Sequence, residues 1–174
     1  MKSVTLLLLL IAGLFAATCS ETTPTVSAET PKQQPVKDGY WPHWLGPDYN
    51  GISPETDWRA DWTDKPPQVL WRSEVGTGYS SIASANGRIY TMGHTAGNET
   101  VYCLEAETGK EIWKQSYPAQ LVNHLNAGGP GATPTIDGEF LYTNSRDGRL
   151  ICFEIKTGNI VWQKNLQEVY QMKV

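Results

Sequence analysis

Between residues 79 and 165, hydrophobic and polar side chains alternate in short runs that are separated by turn-forming residues. Alternation with a period of two predicts β-strands, because successive side chains of a strand point to opposite faces. The dipeptides Asn86-Gly87, Asp137-Gly138 and Asp147-Gly148 predict tight turns between strands. The expected strands cover residues 79–84, 88–93, 100–105, 111–117, 132–136, 139–144, 149–155 and 159–165. The chain is thus predicted to contain two four-stranded units, over residues 79–118 and 132–166.

The two four-stranded units repeat one sequence motif. Residues 103–113 and 152–162 both follow the pattern C-x-E-x-x-T-G-x-x-x-W, and equivalent positions of the two copies are offset by 49 residues. A four-stranded unit of about 50 residues with a recurring tryptophan is typical of a β-propeller blade. We therefore predict an all-β fold, a β-propeller of four-stranded antiparallel blades that stack around an axis.

This motif resembles the tryptophan-docking motif of the PQQ-repeat, or quinoprotein-like, β-propeller family, which reads A-x-D-x-x-T-G-x-x-x-W. Both copies match its Thr-Gly pair and its tryptophan, and both carry Cys and Glu where the family has Ala and Asp. The resemblance implies that each tryptophan packs between neighbouring blades, where a large aromatic ring buries about 150–250 Å². The expected docking residues are Thr108, Gly109 and Trp113 in the first blade and Thr157, Gly158 and Trp162 in the second.

The segment before the first unit has two parts. Residues 69–74 resemble the last strand of a blade, so the resemblance implies that residues 69–76, with Trp71 as a docking residue, close the ring of blades. Residues 41–47 read W-P-x-W-x-G-P, which resembles the leading segment of some secreted PQQ-repeat proteins. Residues 40–68 are therefore expected to form an arm packed on the propeller, with an aromatic carbohydrate-binding platform as the alternative.

The number of blades predicts that the chain is part of a larger ring. Propellers have about four to eight blades, whereas this sequence supplies two and one closing strand. Residues 167–174 follow the second unit without a capping feature and are expected to be the start of a further, truncated blade. The sequence is therefore predicted to be the N-terminal fragment of a ring of seven or eight blades.

The first 39 residues are predicted to serve export and tethering. Lys2 precedes an uncharged apolar run over residues 4–17, which is too short to span a membrane and typical of a signal peptide covering residues 1–18. Cys19 lies in a context that resembles a bacterial lipobox, which implies its acylation, with ordinary signal cleavage as the alternative. Residues 19–39 are expected to be a flexible linker. The predicted location is the periplasm or the outer membrane of a Gram-negative-type bacterium.

Charge and composition narrow the classes of function. The 174 residues carry a net charge of −4, which argues against nucleic acid as a partner, because phosphate binding needs a basic surface. Three cysteines are too few for a disulfide scaffold. The sequence contains no G-x-S-x-G, H-E-x-x-H or Walker motif, so no catalytic residue is assigned.

The repeated cysteines and glutamates favour structural roles. Cys103 and Cys152 are interpreted as small buried thiols near the blade interface, with a disulfide between blades as the alternative. A metal site is disfavoured, because no other Cys or His stands nearby at ligand spacing. Glu105 and Glu154 repeat with the motif and are predicted to be hydrogen-bond acceptors in its turns.

The remaining candidates are three histidines and one glycine-rich loop. His43, His94 and His124 share no motif and are predicted to be surface or loop residues. The loop at residues 123–131 contains three glycines but no lysine, and it leads into a predicted strand. A phosphate cradle requires glycines before a helix N-terminus, so the loop is interpreted as a connection between blades that could shape a pocket.

Two functions remain open. The favoured one is a non-enzymatic scaffold that binds a protein partner at the cell envelope, as the resemblance to outer-membrane assembly lipoproteins of the BamB type implies. The alternative is a quinoprotein alcohol or sugar dehydrogenase, for which the resemblance implies pyrroloquinoline quinone (PQQ) and Ca²⁺ on the propeller axis. Under that alternative the catalytic residues lie beyond residue 174, and no cofactor ligand is assigned within this sequence.

Overall fold

The computed structural model describes residues 39–56, 58–122 and 127–171. The predictions for residues 1–38, which include the signal peptide, Cys19 and most of the linker, lie outside these residues, as does His124. The described residues include both of the predicted repeat units.

The first blade is an antiparallel sheet of four strands in chain order. Its strands are β1 (Ala83–Ala85), β2 (Arg88–Thr95), β3 (Asn98–Glu105) and β4 (Glu111–Pro118). Between β1 and β2, Asn86 and Gly87 have φ values of 53° and 72°, the backbone of the tight hairpin turn that Asn-Gly pairs favour. The first strand begins at residue 83 rather than 79, because the Tyr79 N–H donates to the carbonyl of Pro130 instead of to the sheet.

The second blade repeats this arrangement. Its strands are β5 (Thr135–Asp137), β6 (Phe140–Asn144), β7 (Arg149–Glu154) and β8 (Ile160–Asn165), again paired antiparallel in chain order. Each blade has one register shift, directly after Cys103 and after Cys152. β8 leads into a short helix, α1 (Leu166–Tyr170), whose first turn is capped by the Asn165 side chain. That a further blade follows stays a prediction.

The turns and loops lie at the two opposite ends of the strands, which we call the turn edge and the loop edge. At the turn edge, formed by residues 86–87, 106–110, 138 and 155–159, the Ala106 N–H donates to the Gly87 carbonyl at 2.9 Å. At the loop edge, formed by residues 95–98, 119–122, 127–134 and 145–148, the Ala119 N–H donates to the Gly97 carbonyl at 3.0 Å. The chain passes from the first blade to the second at the loop edge.

One hydrophobic core lies between the two blades. Its fully buried side chains include Val101 and Cys103 from the first blade and Leu141, Ile151 and Phe153 from the second. The burial of large apolar side chains is the dominant favourable term in folding. Each blade therefore depends on the other to cover one of its faces.

The tryptophan of the first blade lies on the Thr-Gly turn of the second. A Cβ added to Gly158 would come within 2.6 Å of the Trp113 ring, so the indole rests directly on this glycine. The Nε1–H of Trp113 donates to the carbonyl oxygen of Ile155 at 3.1 Å. Glycine is required here for two reasons, because a side chain would collide with the ring and because the φ of 75° is one that other residues rarely adopt.

Trp71 makes the same contact one blade earlier. A Cβ added to Gly109 would come within 2.4 Å of its ring, and its Nε1–H donates to the carbonyl of Ala106 at 3.0 Å. In both contacts the acceptor precedes the glycine by three residues. Trp162 is the equivalent side chain of the second blade, is 39% exposed, and has no glycine turn of the described residues against it.

The arm joins the first strands of both blades. Trp41 exchanges two backbone hydrogen bonds with Ser84 of β1, at 2.9 and 2.8 Å, and the Ile136 N–H of β5 donates to the Pro42 carbonyl at 2.7 Å. The rest of the described arm contains no strand or helix. Its exposed aromatic side chains are Trp44, Tyr49, Trp58 and Trp62.

Residues 69–76 do not form the predicted strand. A strand requires a ladder of hydrogen bonds to a neighbouring backbone, and no described strand pairs with this segment, although Val75 and Gly76 pack closely against the end of β2. Val69 and Leu70 are exposed, and the only bridge nearby joins Thr77 to His94. The segment is irregular and brings Trp71 to the first blade, and its ring-closing role stays a prediction.

Replacing Gly158 by alanine tests the docking contact. We expect Gly158→Ala to lower the free energy of unfolding by about 2–4 kcal/mol, from the left-handed backbone and from displacement of the Trp113 ring. Gly138→Ala is the matched control, because Gly138 has a φ of 57° and an added Cβ there would meet nothing within 4 Å. Urea unfolding of both variants gives the comparison. A loss at Gly158 no larger than at Gly138 would contradict the contact.

Candidate functional site

The repeated glutamates hold the Thr-Gly turns. The Thr108 hydroxyl donates to the Glu105 carboxylate, and the Thr157 hydroxyl donates to that of Glu154. Each threonine oxygen also accepts from a backbone N–H two residues later, at 3.2 Å in both turns. The prediction that these glutamates are structural acceptors is confirmed, so they are not candidates for chemistry.

The two described cysteines are free, buried thiols. Cys103 pairs in register with Trp113, and Cys152 pairs in the same way with Trp162. Burial raises the pKa of the Cys103 thiol above its usual value, which keeps it protonated and unreactive. Both side chains therefore act as small hydrophobic groups, and no disulfide joins them in this structure.

The prediction of surface or loop histidines is wrong for His94, which is a buried residue of β2, whereas His43 does lie in an irregular segment, although it is buried as well. His43 is 9% exposed, stacks on the Tyr49 ring at a centroid distance of 3.7 Å, and donates through Nδ1 to the Trp44 carbonyl. His94 is 7% exposed and donates through Nε2 to the carbonyl of Ala119 at 3.0 Å. His94 is buried because it lies on the same face of β2 as Tyr90 and Met92, which belong to the hydrophobic core.

Three buried polar side chains form a row across the loop edge of the first blade. His94, Glu99 and Tyr117 stand opposite one another on β2, β3 and β4, and we call them the polar row. The Tyr117 hydroxyl donates to the Glu99 carboxylate at 3.2 Å, and Glu99 is only 1% exposed. The second blade covers the row, because the Arg146 backbone N–H donates to Glu99 and the Arg149 guanidinium lies 5.2 Å from the Tyr117 ring centre.

Burial controls the electrostatics of the polar row. Desolvation raises the pKa of Glu99 above its ordinary 4.5, the Tyr117 hydrogen bond opposes that shift, and the nearby Asp147 charge adds to it. Desolvation also raises the pKa of Tyr117, and the Glu99 charge raises it further. Titratable groups with perturbed pKa values are candidates for functional sites.

The polar row departs from the sequence repeat. With the offsets that align Tyr90 with Tyr142 and Cys103 with Cys152, the counterparts of His94, Glu99 and Tyr117 are Arg146, Gly148 and Leu166. The packing of the blades explains the residues that repeat, but it does not explain the three residues of the polar row. The sequence does indicate the burial of Glu99, because Glu99 shares the strand face of Val101 and Cys103 and is therefore placed toward the core.

His94, at one end of the polar row, lines a cavity of about 860 Å³ at the loop edge, whereas Glu99 and Tyr117 do not line it. His94, Thr95 and Asp147 supply polar groups to its lining, and residues 118–121 form one wall. The glycine-rich loop lies close to it, since a Cβ on Gly129 would come within 2.3 Å of the Thr77 carbonyl oxygen. None of the described residues of that loop lines the cavity itself, so its role in shaping a pocket stays a prediction.

The described residues offer neither a cluster of metal ligands nor a helix that could span a membrane. No group of three or more His, Cys, Asp or Glu side chains lies close enough together there to hold a metal ion. In the same part of the chain, no helix is long and apolar enough to cross a membrane.

A comparison with protein families agrees with the presence of two repeated four-stranded units. The family model described as "Outer membrane protein assembly factor BamB" matches residues 55–173. The chain belongs to this PQQ-repeat family. Membership identifies the two four-stranded sheets as β-propeller blades, as the sequence motif predicted. No curated protein matched the chain in the sequence comparison.

Solved structures that resemble this member of the PQQ-repeat family include dehydrogenases and BamB itself. A europium-containing methanol dehydrogenase is 25% identical over 59% of this chain, with a TM-score of 0.45. BamB from Moraxella catarrhalis is 16% identical over 55% (TM-score 0.41), and quinohemoprotein alcohol dehydrogenase from Comamonas testosteroni is 23% identical over 54% (TM-score 0.38). The chain spans 20%, 26% and 14% of the lengths of these three proteins, respectively.

We expect Glu99→Gln to change how stability depends on pH. Because the folded chain raises the pKa of Glu99, its contribution to stability is complete below the ordinary pKa of 4.5 and is lost as the pH rises through the raised value. Glutamine stays neutral and keeps an oxygen that can accept from Tyr117. The unfolding free energy of the variant, relative to that of the wild type, should therefore be larger at about pH 7 than at about pH 4.

Urea unfolding at the two pH values measures this difference. Glu107→Gln, at an exposed position of the turn edge, is the matched control and should behave like the wild type. A difference between the wild type and Glu99→Gln that is the same at both pH values would mean that burial does not raise this pKa.

Proposed function

We propose that this chain is part of an exported β-propeller that serves as a protein-binding scaffold at the cell envelope. The observation that carries this proposal is the match of residues 55–173 to a family described as an outer membrane protein assembly factor. The repeated glutamates and cysteines support it, because these residues have structural roles in the described blades.

The exposed outer strand of the second blade supports partner binding. Residues 160–164 of β8 are all exposed, including the apolar Ile160, Val161 and Trp162. β8 pairs on one side only, so its other edge presents unpaired backbone groups. An open strand edge is a surface to which an extended partner segment can add as a further strand, whereas the side chain of Trp162 is expected to dock on a following blade.

Export and tethering belong to the same proposal. The apolar run at residues 4–17 would direct secretion, Cys19 would carry the lipid, and residues 19–39 would link the lipid to the propeller. This arrangement would hold the blades near a membrane surface without a spanning helix.

Deletion of the gene tests the scaffold role. We expect the deletion to reduce folded outer-membrane β-barrel proteins, measured by their heat-dependent mobility in gel electrophoresis of outer-membrane fractions. The wild-type gene on a plasmid should restore them, and soluble periplasmic proteins should be unaffected. Unchanged amounts of folded barrel protein would contradict the proposed function.

Replacement of Cys19 tests the anchor. In cells fed radiolabelled palmitate, we expect the wild-type protein and Cys103→Ala to be labelled and Cys19→Ser to lose the label, because only Cys19 is proposed to be acylated. Both variants lack one cysteine, so Cys103→Ala is the matched control. Full labelling of Cys19→Ser would contradict lipidation at this residue.

A quinoprotein dehydrogenase is the second candidate function. The observation that favours it is the polar row beside the cavity, because buried carboxyl, imidazole and phenol groups are common components of catalytic sites. The described residues do not fit the implied cofactors, however, since they hold no group of carboxylates that could bind Ca²⁺. We therefore assign no reaction step to them.

Reconstitution separates the two candidates. The full-length protein is incubated with PQQ and Ca²⁺, and the reduction of a dye by primary alcohols and sugars is followed. We expect no dye reduction above that of the cofactors alone. Turnover that depends on the protein, the quinone and Ca²⁺ together would replace the scaffold proposal with the enzymatic one.

A further inference from the structure

The loop-edge cavity contains an imidazole nitrogen without a protein partner. His94 is 7% exposed, lines the cavity, and is fixed by the donation of its Nε2–H to the Ala119 carbonyl at 3.0 Å. Among the described residues, nothing hydrogen-bonds to its other ring nitrogen, Nδ1. A neutral imidazole that donates through one nitrogen accepts through the other. The buried ring therefore offers an acceptor to whatever enters the cavity.

The charge of the cavity lining is negative. Asp147 is the only charged residue among the described lining residues, and Thr95 and Gln120 add polar groups that can accept hydrogen bonds. Neither neighbouring arginine lines the cavity: Arg146 donates to the Val122 carbonyl at 2.8 Å, next to the wall residue Leu121, and Arg149 lies over the Tyr117 ring. A ligand that brings hydrogen-bond donors and positive charge complements this lining, whereas an anion does not.

The cavity walls suit a long apolar stem. Ala96, Pro118 and Leu121 line the cavity with carbon atoms close to the polar groups of His94 and Asp147. Lysine and arginine side chains pack their methylene stems along apolar surface and place the charge at the tip. Its volume of about 860 Å³ also leaves room for the backbone that carries such a side chain.

We propose that the loop-edge cavity receives a lysine or arginine side chain of the protein partner. The charged tip lies between Asp147 and Nδ1 of His94, and the stem packs on Pro118 and Leu121. This inference rests on the proposed scaffold function, because it assumes a protein partner. It places recognition at the loop edge, where the sequence departs from the repeat.

The test measures binding of a capped lysine to the full-length protein. The probe is Nα-acetyl-lysine amide, and Nα-acetyl-norleucine amide is its neutral control of similar shape. Dissociation constants come from ligand-observed saturation-transfer NMR titrations. We expect the lysine probe to bind about tenfold more tightly than the norleucine probe, because a partly exposed charge pair adds a modest attraction that the neutral probe lacks.

Variants of an exposed lining residue test the role of charge without disturbing the core. Gln120 is exposed, so Gln120→Lys and Gln120→Glu should both fold. We expect Gln120→Lys to weaken binding of the lysine probe about tenfold and Gln120→Glu to strengthen it about threefold. Asp147→Asn should weaken it about fivefold. Asp137→Asn is the matched control, because it lies in a turn at the opposite edge where the first blade has Asn86.

Several outcomes would overturn the proposal. Equal binding of the two probes, or equal effects of Gln120→Lys and Gln120→Glu, would show that charge does not select the ligand. Tighter binding of the free diamine cadaverine than of the lysine probe would assign the cavity to a small amine instead of a protein side chain. Absence of lysine binding would refute the cavity proposal alone, since the gene-deletion experiment reports on the scaffold independently.

Discussion

The packing of one indole ring on one glycine determines how the two blades are arranged. Trp113 reaches across the interface to Gly158, and its Nε1–H bonds to the Ile155 carbonyl, so both position and orientation of the ring are fixed. Phe153, at the centre of the core, lies against the same indole at a centroid distance of 6.0 Å. The loop edge is distant from this contact, but its geometry follows from the blade spacing that the contact sets.

The two edges of the blades differ in how closely their residues repeat from one blade to the next. At the turn edge the same hydrogen bonds recur in each blade, as the Glu105–Thr108 and Glu154–Thr157 pairs show. At the loop edge the residues differ between blades, and a carboxyl group is buried with a tyrosine hydroxyl and a backbone N–H as its partners. Burial of a carboxyl group carries a desolvation cost that only such partners offset. The hydrogen bonds of the turn edge are therefore repeated in both blades, whereas the buried carboxyl group of the loop edge has no counterpart in the second blade.

The sequence predicted the features that depend on short-range pattern. Alternation and the Asn-Gly and Asp-Gly turns located the strands, and the repeat located Trp113, Trp162 and the Thr-Gly turns. It failed for His94, because burial of this side chain depends on which face of β2 meets the second blade. Residues 69–76 pair with no described strand, and whether they close the ring as predicted depends on a final blade outside the described residues. The burial of Glu99 was not predicted, although its alternation with Val101 and Cys103 placed it on the buried face.

The docking contacts have a direction along the chain. Trp71 lies on the turn of the first blade, and Trp113 of that blade lies on the turn of the second, so each ring is received by a segment that is synthesised after it. A newly made blade therefore has an uncovered indole until its successor has formed. For a polypeptide that emerges from its N-terminus, the turn that receives each tryptophan is therefore always made after the tryptophan itself.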